Sequence, residues 1–272
     1  MSVFGSVKLG LTYRCNGLCH HCAVADFHRP GVPSLRFEEI ARLAEEMWLA
    51  GVGRVDLFGG EPTLRPDILD VLRLLDDYFA VVGMDTNGLV IDDAFARAIR
   101  AAGLQYAFIS LHGPDRPSHA AVAGADHFDT VCAAARACVA AGIAVHFSTT
   151  VTPDLLAQHG IERMRDLARE LGASGVRLLF PALSGRWCGD VSVVLDLKKK
   201  QKVSELADGD FVYIESPGSR TYRCSAVFGG FFYVSPYGEV QPCCFVPFCL
   251  GETRLEPFGE IVSRARNEDP FL

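Results

Sequence analysis

Three cysteines near the start of the chain, Cys15, Cys19 and Cys22, are the residues best suited to carry chemistry. They are separated by three and then two residues, so their sulfur atoms can converge on one site. Three thiolates can bind three irons of a four-iron cluster and leave the fourth iron open to a substrate or cofactor. The alternative is a structural zinc site with His20 or His21 as the fourth ligand. The spacing alone leaves both possibilities open.

Composition and charge limit the classes of partner. The 272 residues are 49% hydrophobic and 22% charged, a balance that can bury a large core. The formal net charge of −7 predicts no nucleic acid partner and suits a cationic small molecule. No apolar run is long enough to cross a bilayer and no secretory signal is apparent, which predicts a cytoplasmic protein without a membrane partner. Ten cysteines in such a chain favour metal sites over disulfides.

Strand-like apolar runs alternate with helix-like stretches over the first two thirds of the chain. The predicted strands are Val7–Leu11, Val55–Phe58, Val81–Thr86, Tyr106–Leu111, Val145–Thr150 and Val176–Phe180. The predicted helices are Phe37–Ala50, Asp67–Phe79, Asp92–Ala102, Phe128–Ala141 and Ile161–Leu171. Six strands with helical crossovers form a right-handed series but are too few for a complete eight-stranded barrel. We therefore predict an α/β fold with a partial (β/α)6 TIM-like barrel, whose chemistry lies at the carboxyl ends of its strands.

The pattern changes after Phe180, which predicts a barrel over residues 1–183, a linker over 184–210 and a small C-terminal α+β domain over 211–272. In that domain, Phe231–Ser235 and Glu239–Gln241 flank a Pro-Tyr-Gly turn and indicate a β-hairpin. A domain of this size is near the lower limit at which a hydrophobic core alone suffices. A metal centre would stabilise it as an internal cross-link.

Short polar motifs follow three of the predicted strands. Gly59–Glu61 comes after the second strand, Thr86–Gly88 after the third, and Ser110–His112 closes the fourth. Together with the cysteine motif and the aromatic His21 just before its last cysteine, these motifs resemble the radical S-adenosylmethionine (radical SAM) superfamily. The resemblance covers Val7 to about Pro181.

This resemblance implies the cofactors and the type of reaction. The three N-terminal cysteines would hold a 4Fe–4S cluster that binds S-adenosylmethionine. Its reductive cleavage would give a 5′-deoxyadenosyl radical, which takes a hydrogen atom from the substrate. An external one-electron donor such as a flavodoxin or ferredoxin would be needed. The residues that the resemblance places at the cofactor are His21, Gly59, Gly60, Glu61, Thr86 and Ser110.

The C-terminal cysteines resemble a second family motif. Cys224 is followed by thirteen residues, a glycine, four more residues and Cys243, as in the auxiliary-cluster domains called SPASM, or Twitch in their shortened form. The resemblance implies a second 4Fe–4S cluster, with Cys188, Cys224, Cys243 and Cys244 as the expected ligands. Cys249 would then be a free thiol that can give a hydrogen atom to a carbon radical. The alternative is that Cys249 is the fourth cluster ligand.

Among the branches of the superfamily, the compact size, short tail and spare cysteine resemble the aminoglycoside-modifying epimerases. That branch implies inversion of one sugar carbon, with Cys249 returning hydrogen to the opposite face. Asp85 and His112 are the predicted substrate contacts, because both lie near strand ends. The alternatives are a dehydrogenase of an aminocyclitol alcohol, a peptide-modifying SPASM maturase and, from another class, a non-enzymatic iron–sulfur scaffold.

Overall fold

A computed structural model describes residues 4–215 and 230–267. Its strands are β1 (Phe4–Thr12), β2 (Val52–Gly59), β3 (Val81–Thr86), β4 (Tyr106–Ser110), β5 (Ala144–Thr150), β6 (Gly175–Leu179), β7 (Val212–Ile214), β8 (Phe231–Val234), β9 (Glu239–Gln241) and β10 (Gly251–Glu252). Its helices are α1 (Phe37–Leu49), α2 (Ile68–Tyr78), α3 (Asp93–Ala101), α4 (Arg116–Ala123), α5 (Phe128–Ala140), α6 (Pro153–Ala157), α7 (Gly160–Glu170), α8 (Leu197–Leu206) and α9 (Phe258–Asn267). Short 3-10 helices lie at Ala25–Phe27, Pro62–Leu64, Gly185–Trp187 and Val191–Val193.

These strands form one sheet in the order β10-β9-β8-β1-β2-β3-β4-β5-β6-β7. Every neighbouring pair from β8 through β1 to β7 is parallel, and only the pairs within the β8–β9–β10 segment are antiparallel. The parallel strands follow chain order from β1 to β7, with helices in the crossovers. This arrangement confirms the predicted α/β fold with the parallel core of a partial TIM-like barrel.

The two faces of the parallel strands differ sharply in polarity. On β1, Val7, Leu9 and Leu11 are at most 1% exposed and belong to the main hydrophobic core beneath the helices. Side chains alternate along a strand, so Lys8 and Gly10 point to the opposite face. That inner face, which we call the lumen, is where the polar residues of the strands meet.

Helix α1 shows how the outer face is covered. Ile40, Leu43 and Met47 recur at helical spacing and are fully or almost fully buried against the sheet. Burial of each such side chain stabilises the fold by about 1.5–3 kcal/mol. The helix begins after Arg36, whose backbone N–H donates to the Glu39 carboxylate at 2.8 Å and so satisfies one of the otherwise unpaired N–H groups of the first turn.

The sheet continues across the boundary predicted at residue 211. Strand β7 pairs in parallel with β6, and β8 pairs in parallel with β1, so two strands of the C-terminal segment extend the barrel sheet at its two edges. The segment predicted as a linker contains α8. A strand of three residues, such as β7, is too short to show a hydrophobic pattern in the sequence, so its place in the sheet could not be predicted. The predicted hairpin is confirmed as β8 and β9.

Two further findings concern an expected cluster ligand and the membrane. Cys224, one of the expected auxiliary ligands, lies outside the described residues. In the part of the chain that is described, no helix combines the length and the apolar character needed to cross a membrane.

Candidate active site

The loop after β1 carries Cys15, Cys19 and Cys22 at the carboxyl end of the parallel strands. A Cβ atom placed on Gly17 would lie 3.6 Å from the sulfur atoms of both Cys15 and Cys19, so both sulfurs lie beside Gly17. Asn87, from the loop after β3, approaches Cys15 Sγ with its side-chain amide at 3.8 Å. The fold therefore gathers the thiols where neighbouring strands end.

These thiols suit a positively charged cluster. Burial, followed by the negative charges of Cys22 and Cys15, raises the pKa of Cys19 to about 11. Burial also raises the pKa of Cys15 and of Cys22. Because three thiolates at one place repel one another, a cationic iron centre would relieve the repulsion and favour their ionised form. A set of three thiols fits a four-iron cluster with one open iron.

The two histidines of the loop are engaged elsewhere. His20 Nδ1 lies 3.1 Å from the carbonyl oxygen of Ala121 on α4. The His21 ring packs edge-on against His112, with centroids 4.3 Å apart, and burial lowers the pKa of His21 to about 4. This packing against α4 and the end of β4 favours the iron–sulfur interpretation of the cysteines over a zinc site completed by histidine.

Gly59 and Gly60 hold the cysteine loop against β2. Gly60 N–H donates to Thr12 O at 2.6 Å, and Glu61 N–H donates to Arg14 O at 2.9 Å. A Cβ on Gly60 would lie 2.3 Å from Arg14 O, and Gly59 has a φ of +136°. Only glycine fits a backbone approach this close, so both glycines are required by the contact with the cysteine loop.

Glu61 is fully buried and joins the ends of two strands, β2 and β3. Its carboxylate accepts hydrogen bonds from Thr63 N at 3.1 Å, Thr63 Oγ1 at 2.6 Å, Thr86 Oγ1 at 2.8 Å and Asn87 N at 2.7 Å. Burial raises the pKa of Glu61, and these donors oppose that rise. The carboxylate thus fixes the loop after β2 to the loop after β3, directly beside Cys15.

His112, just after β4, and Thr150, the last residue of β5, lie at the carboxyl ends of the next two strands. Thr150 N–H donates to His112 Nδ1 at 3.4 Å, which leaves the hydrogen on His112 Nε2. Burial, together with His21 and His119, lowers the pKa of His112 far below its usual range, so the ring is neutral. His112 Nε2 and Thr150 Oγ1 are buried without a partner among the described residues. Ser110 lies directly opposite Ser148 of β5 on the lumen face.

Asp85 lies deeper in the lumen, between two cations. Lys8 Nζ donates to one carboxylate oxygen at 2.8 Å, and Arg177 Nη2 donates to the other. Burial alone would raise the pKa of Asp85, but Lys8 and Arg177 outweigh it and lower the pKa to about 2. The negative charge of Asp85 is compensated within the chain, so this carboxylate is better suited to ordering the lumen than to binding a substrate ammonium group.

The C-terminal cysteines occupy three different environments. A hydrogen bond from the Cys244 thiol lowers the pKa of Cys243 to about 6, and the same contact, with burial, raises the pKa of Cys244. Cys249 is exposed and donates from Sγ to Gly251 O at 3.4 Å. Cys188 is exposed on the segment that touches the N-terminal loop, where Arg186 donates to Cys19 O at 3.2 Å.

The hairpin of β8 and β9 docks onto the chain that follows the cysteine motif. Leu35 N–H donates to Pro236 O at 2.7 Å, and Arg29 N–H donates to Tyr237 Oη at 2.7 Å. The Tyr237 ring also packs edge-on against Tyr13, with centroids 5.4 Å apart. The C-terminal cysteines are thereby carried on a segment in contact with the cysteine loop.

Three residues of the lumen were not anticipated from the sequence. Lys8, Arg177 and Glu215 belong to the charged network around Asp85. In the sequence, the feature that could have identified them is a single charged residue within or beside an apolar strand. That feature identifies a lumen position only when the strand order is known.

A model of the Radical SAM superfamily matches residues 9–171, more than half of the chain. The chain is 27% identical to the AdoMet-dependent heme synthase of Methanosarcina barkeri, over 94% of this chain and 81% of that protein. It is 30% identical to the mycofactocin maturase MftC of Mycobacterium tuberculosis, over 92% of this chain but only 62% of MftC.

A solved structure shows the same fold. Streptococcus suis SuiB bound to the precursor peptide SuiA superposes with a TM-score of 0.80 at 15% identity, over 99% of this chain and 66% of SuiB. The chain thus spans about two thirds of the SuiB length. The family match covers the cysteine loop and the strand-end motifs in one continuous stretch. This chain belongs to the radical SAM superfamily, whose members use S-adenosylmethionine and a 4Fe–4S cluster.

Proposed function

We propose that this chain is a radical SAM epimerase that inverts one sugar carbon of an aminoglycoside, in a reaction of the type that converts neomycin C to neomycin B. The observation that carries the proposal is the thiol of Cys249. It is exposed, and partial burial raises its pKa, so it keeps its hydrogen at neutral pH. A retained S–H group is what an epimerase needs to return hydrogen to a carbon radical.

The proposal gives each site residue a role. Cys15, Cys19 and Cys22 would hold the cluster, and the backbone of Gly59–Glu61 would bind the cofactor beside it. When bound and cleaved with one electron from the external donor, S-adenosylmethionine would supply the 5′-deoxyadenosyl radical that removes hydrogen from the substrate carbon and becomes 5′-deoxyadenosine. Cys249 then gives its hydrogen atom to the opposite face of that carbon. Its sulfur-centred radical takes one electron and one proton, and an external flavodoxin or ferredoxin supplies the electron.

A second 4Fe–4S cluster on Cys188, Cys224, Cys243 and Cys244 would carry that electron. The described part of this set offers one thiol, Cys243, whose pKa lies near 6, and thiolates are the form that binds iron. An iron count per chain tests the proposal directly. About eight irons are expected for two clusters and about four for one.

The reaction type is tested with neomycin C, the reconstituted protein and a one-electron reductant in deuterium oxide. Thiol hydrogens exchange with solvent, so one deuterium is expected at the inverted carbon of neomycin B, with one 5′-deoxyadenosine per turnover and no ketone. A ketone product would instead establish a dehydrogenase of an alcohol. Absence of 5′-deoxyadenosine from protein with intact clusters would overturn catalysis and leave an iron–sulfur scaffold.

A peptide-modifying maturase is the second candidate. It is favoured by the similarity to MftC, a maturase, and by the fold shared with SuiB, which was solved with its precursor peptide. The two candidates differ in what binds before any chemistry. If the epimerase proposal is correct, neomycin C raises the temperature at which the protein unfolds. Precursor peptides encoded by genes next to the gene of this protein do not raise it.

A further inference from the structure

The last strands of the barrel place one row of side chains at the mouth of the lumen. Thr150 pairs with Leu179 in the register of β5 and β6, and Glu215 follows β7 with its N–H bonded to Leu178 O at 3.0 Å. The row immediately below contains Ser148 and Arg177, which are also paired in register. Because side chains on one face recur every second residue, Thr150 and Glu215 lie on the lumen face one step nearer the mouth.

Charges alternate along this part of the lumen and end at Glu215. Lys8 pairs with Asp85 at 2.8 Å, Asp85 pairs with Arg177, and Arg177 Nη1 reaches Glu215 at 3.5 Å. The side chains of the first three are 5–14% exposed, whereas that of Glu215 is 45% exposed. The series therefore runs positive, negative, positive, negative and stops at a carboxylate that faces solvent at the mouth. A cation is the partner that continues it.

Other lumen carboxylates in the described residues are already engaged. Asp85 has two cationic partners, Glu61 accepts four hydrogen bonds, and Asp56 lies 3.0 Å from Arg54. The contact of Glu215 with Arg177 is its only ion pair among the described residues, and it is longer than the Lys8–Asp85 pair. Glu215 thus keeps the most accessible negative charge on this face.

An unpaired hydroxyl lies in the same row. Thr150 is 3% exposed, yet its Oγ1 has no hydrogen-bond partner among the described residues. A buried hydroxyl without a partner is costly, at about 1–3 kcal/mol, and a bound ligand can supply the missing hydrogen bond. A ligand that meets Thr150 and Glu215 together carries both a hydroxyl or ring oxygen and a positive charge.

We propose that Glu215 binds an ammonium group of the substrate at the mouth of the lumen, beside a hydroxyl contact from Thr150. Thr150 and Glu215 lie two strands apart, with Leu179 between them and about 10 Å between their backbones, and an aminosugar ring carries both groups within the reach of the two side chains. This assignment rests on the proposed function and identifies the carboxylate that recognises its cationic substrate. It replaces Asp85 in that role, and it makes Glu215 a residue that determines specificity rather than one that takes part in hydrogen transfer.

The test measures neomycin C binding to the reconstituted protein by anaerobic titration calorimetry, together with steady-state kinetics. Glu215→Gln is expected to raise Kd and KM about tenfold with kcat within twofold of the wild type, because a charge-assisted contact to bound substrate is lost. Glu215→Asp is expected to recover part of the affinity. Glu170→Gln removes an exposed carboxylate from α7, far from the lumen, and is expected to bind like the wild type. Unchanged thermal midpoints for all three variants separate binding from folding.

The decisive comparison uses analogues in which one ammonium group at a time is replaced by hydroxyl. When the ammonium group that Glu215 binds is replaced, the wild type is expected to bind the analogue about tenfold more weakly than neomycin C. Glu215→Gln is expected to bind that analogue and neomycin C with equal affinity, because its contact with this group is already absent. Equal losses in both proteins for every analogue would overturn the assignment while leaving the epimerase proposal intact. No binding of neomycin C by the wild type would overturn both.

Discussion

The buried carboxylate of Glu61 accepts a hydrogen bond from the backbone N–H of Asn87 at 2.7 Å. Asn87 in turn directs its side-chain amide to Cys15 Sγ at 3.8 Å and to Asn16 Oδ1 at 2.8 Å. Two strand ends and the cysteine loop are therefore joined through one carboxylate and one asparagine. The precision with which the first cysteine is placed depends on this connection.

Replacing Glu61 by glutamine tests that brace. All four partners of Glu61 donate, so a glutamine would turn its NH2 group toward at least one donor and leave it unpaired. We expect the free energy of unfolding to fall by about 2 kcal/mol, measured by urea titration with circular dichroism. Glu38→Gln, on the exposed side of α1, is the matched control and should change it by less than about 0.5 kcal/mol. Equal stability of the two variants would contradict the bracing role.

Replacing Gly60 by alanine tests the contact between the Gly59–Glu61 turn and the cysteine loop. The new Cβ would lie 2.3 Å from Arg14 O, so the loop must move. We expect affinity for S-adenosylmethionine to fall at least about tenfold while the circular dichroism spectrum is retained. A displacement of this loop changes the geometry of the binding site but leaves the helices and strands in place. Gly53→Ala, on the strand that precedes the turn, is the control, since its Cβ would meet no atom within 4 Å. Wild-type affinity in Gly60→Ala would show that the turn does not set the cofactor site.

The pH dependence of stability reports on the pair that Asp85 makes with its two cations. The folded-state pKa of about 2 lies below the ordinary value of 3.8, so the stability due to Asp85 is complete above about pH 4 and is lost as the pH falls toward 2. We expect Asp85→Asn to be less stable than the wild type by about 2 kcal/mol at pH 6, with the difference shrinking steadily below pH 4. Urea titrations at pH 6, 4 and 3 measure it.

Asp70→Asn provides the comparison for that experiment. Asp70 pairs with Arg73 on the exposed side of α2, where its side chain is 63% exposed. Exposed pairs contribute about 0–1 kcal/mol, so this variant should differ little from the wild type at any of the three pH values. If Asp85→Asn behaved in the same way, the lumen network would contribute nothing to stability.

The elements of the barrel were largely predictable because each is specified locally. Strand β3 spans the predicted Val81–Thr86, and α5 ends one residue before its predicted end. The elements that were missed are short or lie between stronger signals. Helix α4 has eight residues and is followed almost at once by α5, and β7 has three residues. Neighbouring elements, rather than their own pattern, determine where these segments lie.

The candidate site also has one part that the sequence predicts and one part that it does not. The Gly59–Glu61 turn is recognisable because its residues are contiguous, and its contacts with Thr12 and Arg14 follow from the adjacent strand. The partners of Asp85 are 77 and 92 residues away along the chain, at Lys8 and Arg177. No periodicity links such positions, so only the three-dimensional strand order shows that the charge of Asp85 is already compensated.

The thiol of Cys249 gives the sharpest test of the epimerase proposal. If Cys249 returns hydrogen, Cys249→Ala should still form 5′-deoxyadenosine from S-adenosylmethionine and neomycin C, but the yield of the inverted product should fall at least about a hundredfold, because the carbon radical has no donor on its opposite face. Chromatography of both products in one reaction measures this uncoupling. Cys132→Ala removes a buried thiol from α5 and should leave both yields unchanged. Inversion at the normal rate would exclude Cys249 as the donor. A loss of about four irons per chain would identify it instead as a ligand of the second cluster.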